Sequence, residues 1–215
     1  MKSLGHFVRY VLGLDTPHSQ VTEREVQMLM KYCRNAKVVC EIGCYEGKTS
    51  VTLAQNTIGA VYSVDPFFRG RLGISYGECI ARLHRKRSDV KNLSFLKGFS
   101  VNVASEFRCA IDFLFIDANH SYDAIKADWD SWMPKVVDGG IIALHDSRIA
   151  ANSPVAVGSM KFYSEDIPRF AGVIELDFVD SLSMLRVERV ARCLTDAQSG
   201  GAKSKVSVGP HIGFS

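Results

Sequence analysis

Four acidic residues stand where apolar runs of this sequence end or turn. Glu41 opens Glu-Ile-Gly-Cys-Tyr-Glu-Gly at 41–47, Asp65 closes Val61-Tyr62-Ser63-Val64-Asp65, Asp117 follows the run 111–116, and Asp146 follows His145 after 141–144. The first two, with the residues between them, suggest a definite chemistry. An apolar run, a glycine turn, a helical segment, a second apolar run and an acid make half of a nucleotide-binding βαβ unit. Glycines let a ligand approach the backbone, and the acid accepts hydrogen bonds from ribose hydroxyls. The expected ligand is an adenosine compound. The dinucleotide fingerprint is G-x-G-x-x-G, whereas here the glycines are Gly43 and Gly47, with Glu41 two residues before the first, so a dinucleotide oxidoreductase is disfavoured.

This arrangement resembles motif I of the class I S-adenosylmethionine-dependent methyltransferases. The resemblance implies a cofactor site at Glu41, Gly43, Tyr45, Gly47, Thr49, Ser50 and Asp65. A Cβ at Gly43 or Gly47 would press on the methionine portion of the cofactor or disfavour the turn's backbone angles. Amides at the start of the next helix, with Thr49 and Ser50 nearby, can hold its carboxylate. Glu41 suits its ammonium group, directly or through water, and Asp65 suits both ribose hydroxyls. Gly98-Phe99-Ser100 follows the third strand, where this family contacts adenine: Ser100 is placed to bond the base and Phe99 to pack on it, the alternative being a plain loop with one buried aromatic.

The segment Ile116-Asp117-Ala118-Asn119-His120-Ser121-Tyr122, followed by Asp128, Trp132, Pro134, Gly139-Gly140 and His145-Asp146, is more specific. It is similar to the macrocin-type small-molecule O-methyltransferases, with relatives among cephalosporin-hydroxylase-like proteins and, more distantly, catechol O-methyltransferase. That likeness implies a divalent metal, magnesium first, held by Asp117 and Asp146 and facing the acceptor's hydroxyls, with Asp117 also beside the cofactor. His145 stands where those enzymes carry a second acid and is taken as a third ligand. An imidazole suits manganese or a later metal better than magnesium. His120, three residues after Asp117, matches the position of a candidate base, and a neutral imidazole can begin to remove a hydroxyl proton near pH 7. The implied activity is methylation of a hydroxyl on a small molecule, a sugar or natural-product intermediate. Metal-independent transfer and a non-catalytic cofactor-binding protein of the same fold are the alternatives.

Periodicity places the elements that must position these residues. Thr22 and Glu25 form a capping box, and Val26, Leu29, Met30 and Cys33 share one face of the helix that follows. Strands are expected at 37–42, 60–64, 92–96, 111–116 and 141–144, with helices from 48–55, within the long connection before the third strand, and from Tyr122 until Pro134. Trp129 and Trp132 are expected in the core. Asp138-Gly139-Gly140 reads as the turn into the fifth strand, and 173–179 with 183–187 as a hairpin. The expected fold is α/β: a doubly wound, mostly parallel seven-stranded sheet with a C-terminal antiparallel hairpin. Residues 1–194, including an N-terminal helical segment, read as one domain and 195–215 as a mobile tail. Loops 67–77 and 147–159 are expected to close over the acceptor.

Composition narrows the function further. Among 215 residues, Lys+Arg 26 against Asp+Glu 23 leaves a formal charge of +3, too small to point to nucleic acid. The basic run Arg82, His84, Arg85, Lys86 and Arg87 reads as a solvated helix face. Six cysteines without C-x-x-C spacing argue against structural zinc and for reduced thiols in a cytoplasmic protein. No apolar run approaches the roughly 18–20 residues of a membrane span. The segment 7–14 is apolar enough to pack against a second subunit.

Overall fold

A computed structural model describes residues 2–70, 72–151 and 153–189; the tail expected at 195–215, with Cys193, lies outside them. The elements run α1 (Lys2–Val11), α2 (Glu23–Cys33), β1 (Val38–Ile42), α3 (Lys48–Asn56), β2 (Ala60–Asp65), α4 (Tyr76–Arg87), β3 (Leu93–Lys97), α5 (Ser100–Glu106), β4 (Ile111–Ile116), α6 (Tyr122–Trp132), β5 (Val136–Leu144), α7 (Gly158–Glu165), β6 (Val173–Val179) and β7 (Leu182–Val187). The seven strands lie in the order β3-β2-β1-β4-β5-β7-β6. The first five pair in parallel, and β7 joins β5 and β6 antiparallel, as the expected doubly wound sheet with a terminal hairpin requires.

Strand residues alternate between two cores because successive side chains point to opposite faces. On β4, Leu114 and Ile116 join Trp129, Trp132, Phe162 and Phe107, while Phe113 and Phe115 join Leu29, Cys33, Val51 and Leu53 of α2 and α3. Both Trp side chains are in the core, as expected. The capping box at Thr22 and Glu25 forms. The basic run on α4 is largely structural. Arg87 donates to the Tyr10 and Val11 carbonyls, Arg82 pairs with Glu78, and Arg85 reaches the Val90 carbonyl.

Two expectations are corrected. Asp138-Gly139-Gly140 is not a turn before the fifth strand: β5 starts at Val136 and runs through it, with an irregularity in its pairing to β4 between Ile111 and Phe113. Gly139, at φ +75°, absorbs that irregularity inside the strand, which glycine does without a Cβ penalty. The 147–159 segment is also not loop throughout, because α7 begins at Gly158. There the chain passes so close to the start of α6 that a Cβ on Gly158 would lie 2.1 Å from the Tyr122 amide nitrogen.

Outward strand order reverses between β1 and β4. The Asp117 amide donates to the Ile42 carbonyl (2.8 Å), the Gly43 amide to the Val64 carbonyl (2.9 Å), and the His145 amide to the Ile116 carbonyl (3.1 Å). The carboxyl ends of β1, β2, β4 and β5 are therefore locked level with one another. That is where an open α/β sheet holds its ligand.

Candidate functional site

A cavity of about 790 Å³ opens over these strand ends. Of the expected site residues, Gly43, Tyr45, Thr49, Asp65, Phe99, Ser100, Asp117 and His120 line it. Glu41, Gly47, Ser50, His145 and Asp146 do not. Glu41 is 0% exposed and lies under the glycine turn, where Ser50 and Ser63 both donate to its Oε2 while Oε1 has no partner. Burial pushes its carboxyl up to about 8 against those two hydroxyls. Enclosed there, it faces the two serine hydroxyls rather than the cavity. Ser50 is its buried partner rather than a carboxylate holder.

The glycines are needed chiefly by the fold. Gly43 has φ +93°, and a Cβ there would come within 2.0 Å of the Asp117 carbonyl oxygen; Gly47 has φ +76°, and its Cβ would lie 2.9 Å from that of Ala81. Between them Tyr45 is also left-handed (φ 51°). Asp65 holds this strained turn. Its Oδ2 accepts from the amides of Cys44 (3.0 Å) and Tyr45 (2.9 Å), and its Oδ1 from Phe67 (2.7 Å). A carboxylate has about four acceptor positions, so roughly one remains for a ligand hydroxyl rather than two.

Four charged groups, Asp117, Asp146, Glu25 and His145, meet behind the cavity wall, and of them Asp117 alone lines it. His145 is 3% exposed, with Nε2 3.3 Å from Glu25 Oε2 and Nδ1 3.0 Å from Asp117 Oδ1 and 3.5 Å from Asp146 Oδ2. The Nδ1 contacts are ionic and lack the direction of a hydrogen bond. Burial alone would lower this imidazole's pKa, but Asp117, Asp146 and Glu25 outweigh it and hold it up to about 12. In return His145 overcomes burial at Asp146 and at Glu25 and brings each carboxyl down to about 2. His120 Nδ1 stands 3.2 Å from Asp146 Oδ2.

This geometry corrects the expected metal set. Ligands of one ion lie within about twice a metal–oxygen bond of 2.0–2.6 Å from one another. Among the described residues, the His, Cys, Asp and Glu atoms that gather within 4.8 Å belong to His6, Asp15 and His18, not to Asp117, His145 and Asp146. The imidazolium of His145 instead fills the space between the acids, and the residues present do not fit a metal there. Nor do His6 and His18 suit one. Their rings are stacked at 3.8 Å and 12°, so no ion can lie in both ring planes, where the nitrogen lone pairs point. His6 instead bridges Asp15 (3.0 Å) and Glu46 (2.9 Å) as an ionic clip.

Several site residues escaped the sequence reading. Glu25 does more than cap α2: it is wholly buried and anchors both His145 and Ser181. Lys48 and His18 line the cavity, as does Asp128, which the sequence offers only as part of the macrocin-type segment. For Glu25 and Asp128 a signal existed: each is an acid on the buried stripe of an amphipathic helix, in register with Leu29 and Cys33 or with Ile125, Trp129 and Trp132. An uncompensated acid at such a position costs too much to be incidental. His18 and Lys48 carried no such mark.

Residues 40–147 match the family described as Methyltransferase domain. An O-methyltransferase from Bacillus cereus, solved in complex with SAH, is similar at 16% identity over 88% of this chain and 91% of that one, with a TM-score of 0.64. The O-methyltransferase TomG from Streptomyces achromogenes, involved in tomaymycin synthesis and solved with SAM, gives the same identity, coverage and TM-score. An rRNA methylase from Streptococcus thermophilus is similar at 11% identity over 77% of this chain and 95% of that one, with a TM-score of 0.57. At these identities the likeness is one of fold.

Proposed function

This chain belongs to the Methyltransferase domain family, and from that premise we propose that it transfers the methyl group of S-adenosylmethionine to a hydroxyl oxygen of a small molecule. One observation carries the reading: His120 lines the cavity at the switch point with Asp146 behind its Nδ1, opposite the glycine turn and Asp65. The Asp146 carboxylate, 3.2 Å from Nδ1, favours a proton on that nitrogen, which leaves the Nε2 lone pair for the acceptor. As the acceptor oxygen attacks, the new C–O bond forms, the C–S bond breaks with its electron pair returning to sulfur, and the hydroxyl proton passes to His120. The O-methyltransferases of similar fold solved with SAH or SAM support the choice of cofactor. The order Asp117, His120, Asp146 supports the macrocin-type group.

In this reading no metal takes part, because His145 supplies the local positive charge that keeps Asp117 and Asp146 together beneath the reacting atoms. Asp117 then serves cofactor and acceptor as a hydrogen-bond acceptor. Free buried thiols at Cys33, Cys40 and Cys44 suit a reducing compartment, and no helix among the described residues is long and apolar enough to cross a membrane. Exposed Leu4, Val8 and Val11 of α1, with Leu12 and Leu14 beyond it, support the expectation of a second subunit.

Calorimetry on the full chain should show S-adenosylhomocysteine binding, and labelled S-adenosylmethionine should methylate a member of a panel of small hydroxyl compounds. His120→Ala should lower turnover by about 10²–10⁴-fold with little change in cofactor affinity. Binding of NAD with S-adenosylhomocysteine ignored would overturn the cofactor reading, and wild-type turnover in a folded His120→Ala protein would remove the base.

A further inference from the structure

Asp128 is the buried acid of the cavity that the methyl-transfer chemistry leaves unused. Helix α6 carries it on the same face as Ile125, Trp129 and Trp132, and it is 5% exposed. It nonetheless lines the cavity, whose lining also includes Ala124 and Ala127 of its own helix and Phe99 and Val101, and a buried carboxyl without partners is costly. Burial raises its pKa, and the Ser100 hydroxyl is the protein group that opposes that rise. The Ser100 Oγ already accepts the Trp132 indole N–H at 2.7 Å, so its own proton is free to point at Asp128. At most one acceptor position of Asp128 is thereby used, out of about four. The others ask for a donor from the ligand.

Position identifies that donor. Asp65 ends β2, and the Gly98 amide donates to its carbonyl at 3.1 Å, so Phe99 and Ser100 follow directly at the ribose end of the cavity. His120 and Asp117 lie at the far end, on the switch point. With the ribose at Asp65 and the sulfur toward Asp117, the base lies against Phe99, Ser100 and α6. On the S-adenosyl reading given above, we propose that Asp128, oriented by Ser100 and Trp132, accepts a hydrogen bond from the exocyclic amine of the cofactor's adenine and so selects adenosyl over inosyl cofactors. An inosyl base presents a carbonyl oxygen at that position, and two acceptors facing each other in an apolar pocket repel.

Isothermal titration of the full chain with S-adenosylhomocysteine and S-inosylhomocysteine tests this. The wild type should prefer the adenosyl ligand by about 10- to 100-fold, the range of one hydrogen bond to a carboxyl group. Asp128→Asn nearly preserves shape and adds an amide donor, so it should shrink that preference at least fivefold while the unliganded melting temperature stays within a few degrees. A preference unchanged in Asp128→Asn overturns the assignment. As a check on the wild type alone, the N6,N6-dimethyl analogue has no amine hydrogen, and its binding as tightly as S-adenosylhomocysteine also overturns it. A wild type that binds none of the three ligands refutes the S-adenosyl reading itself, an outcome distinct from an unchanged ratio.

Discussion

At the scale of single residues, burial decided what each acid does. Glu41 and Asp65 flank the same glycine turn, but Ser50 and Ser63 enclose Glu41 while Asp65 reaches the cavity. A buried carboxyl whose folded pKa is raised favours the protonated form. Its stabilising contribution is present below the unfolded value near 4.5 and is lost as pH rises toward about 8. Glu41→Gln removes that dependence. It should therefore gain on the wild type as pH climbs from about 5 to 8, by roughly 1–3 kcal/mol at the upper end, as urea melts at several pH values will show. Parallel melts of the two proteins across that range would contradict it. His145 follows the same logic with a larger consequence. Its residue type marks a site, but only its three carboxylate neighbours hold its imidazole toward the protonated form.

At the scale of elements, the β1–α3 turn is set by steric contact with β4. Gly43 and Gly139 both have positive φ, yet a Cβ at Gly43 meets the Asp117 carbonyl at 2.0 Å while one at Gly139 meets nothing within 4 Å. Gly139→Ala should cost about 1 kcal/mol for its backbone conformation alone. Gly43→Ala adds a backbone collision that neither parallel strand can relieve, and should cost about 3 kcal/mol or more, with loss of S-adenosylhomocysteine binding. Chemical denaturation of the two variants side by side measures the difference; equal losses would show that the turn yields. The capping box of α2 likewise does more than start a helix, since its Glu25 extends beneath β5 to His145.

At the scale of the molecule, the cofactor cavity joins elements from both halves of the sheet, so a ligand there stabilises the whole cooperative unit. Saturation at about 100 times Kd contributes about 2.7 kcal/mol. For a domain of this size that is a rise in Tm of roughly 5–11 °C. A chelator should leave both that rise and the unliganded Tm unchanged, because the charge at the switch point is a side chain. A chelator-induced fall in Tm or loss of methyl transfer, restored by a divalent ion, would show that Asp117, His145 and Asp146 rearrange into a metal site after all.

Local pattern determines most of the elements, because strand and helix periodicities depend on neighbours a few residues apart: the expected bounds match β4 at Ile111–Ile116 and β6 at Val173–Val179, fall within one residue for β1, β2, β3 and β7, and miss the first five residues of β5. The alternation of those elements was enough to specify a doubly wound sheet with a terminal hairpin, and the acids at strand ends marked where its cavity opens. Sequence did not determine which acids face that cavity, since exposure depends on what other segments lay over them. Ser63 from β2 closes over Glu41, and α6 turns Asp128 inward. Charge states were decided last and only in three dimensions. Glu25 and His145 are 120 residues apart, and their contact, with Asp117 and Asp146 across the switch point, sets a protonation that no local pattern encodes.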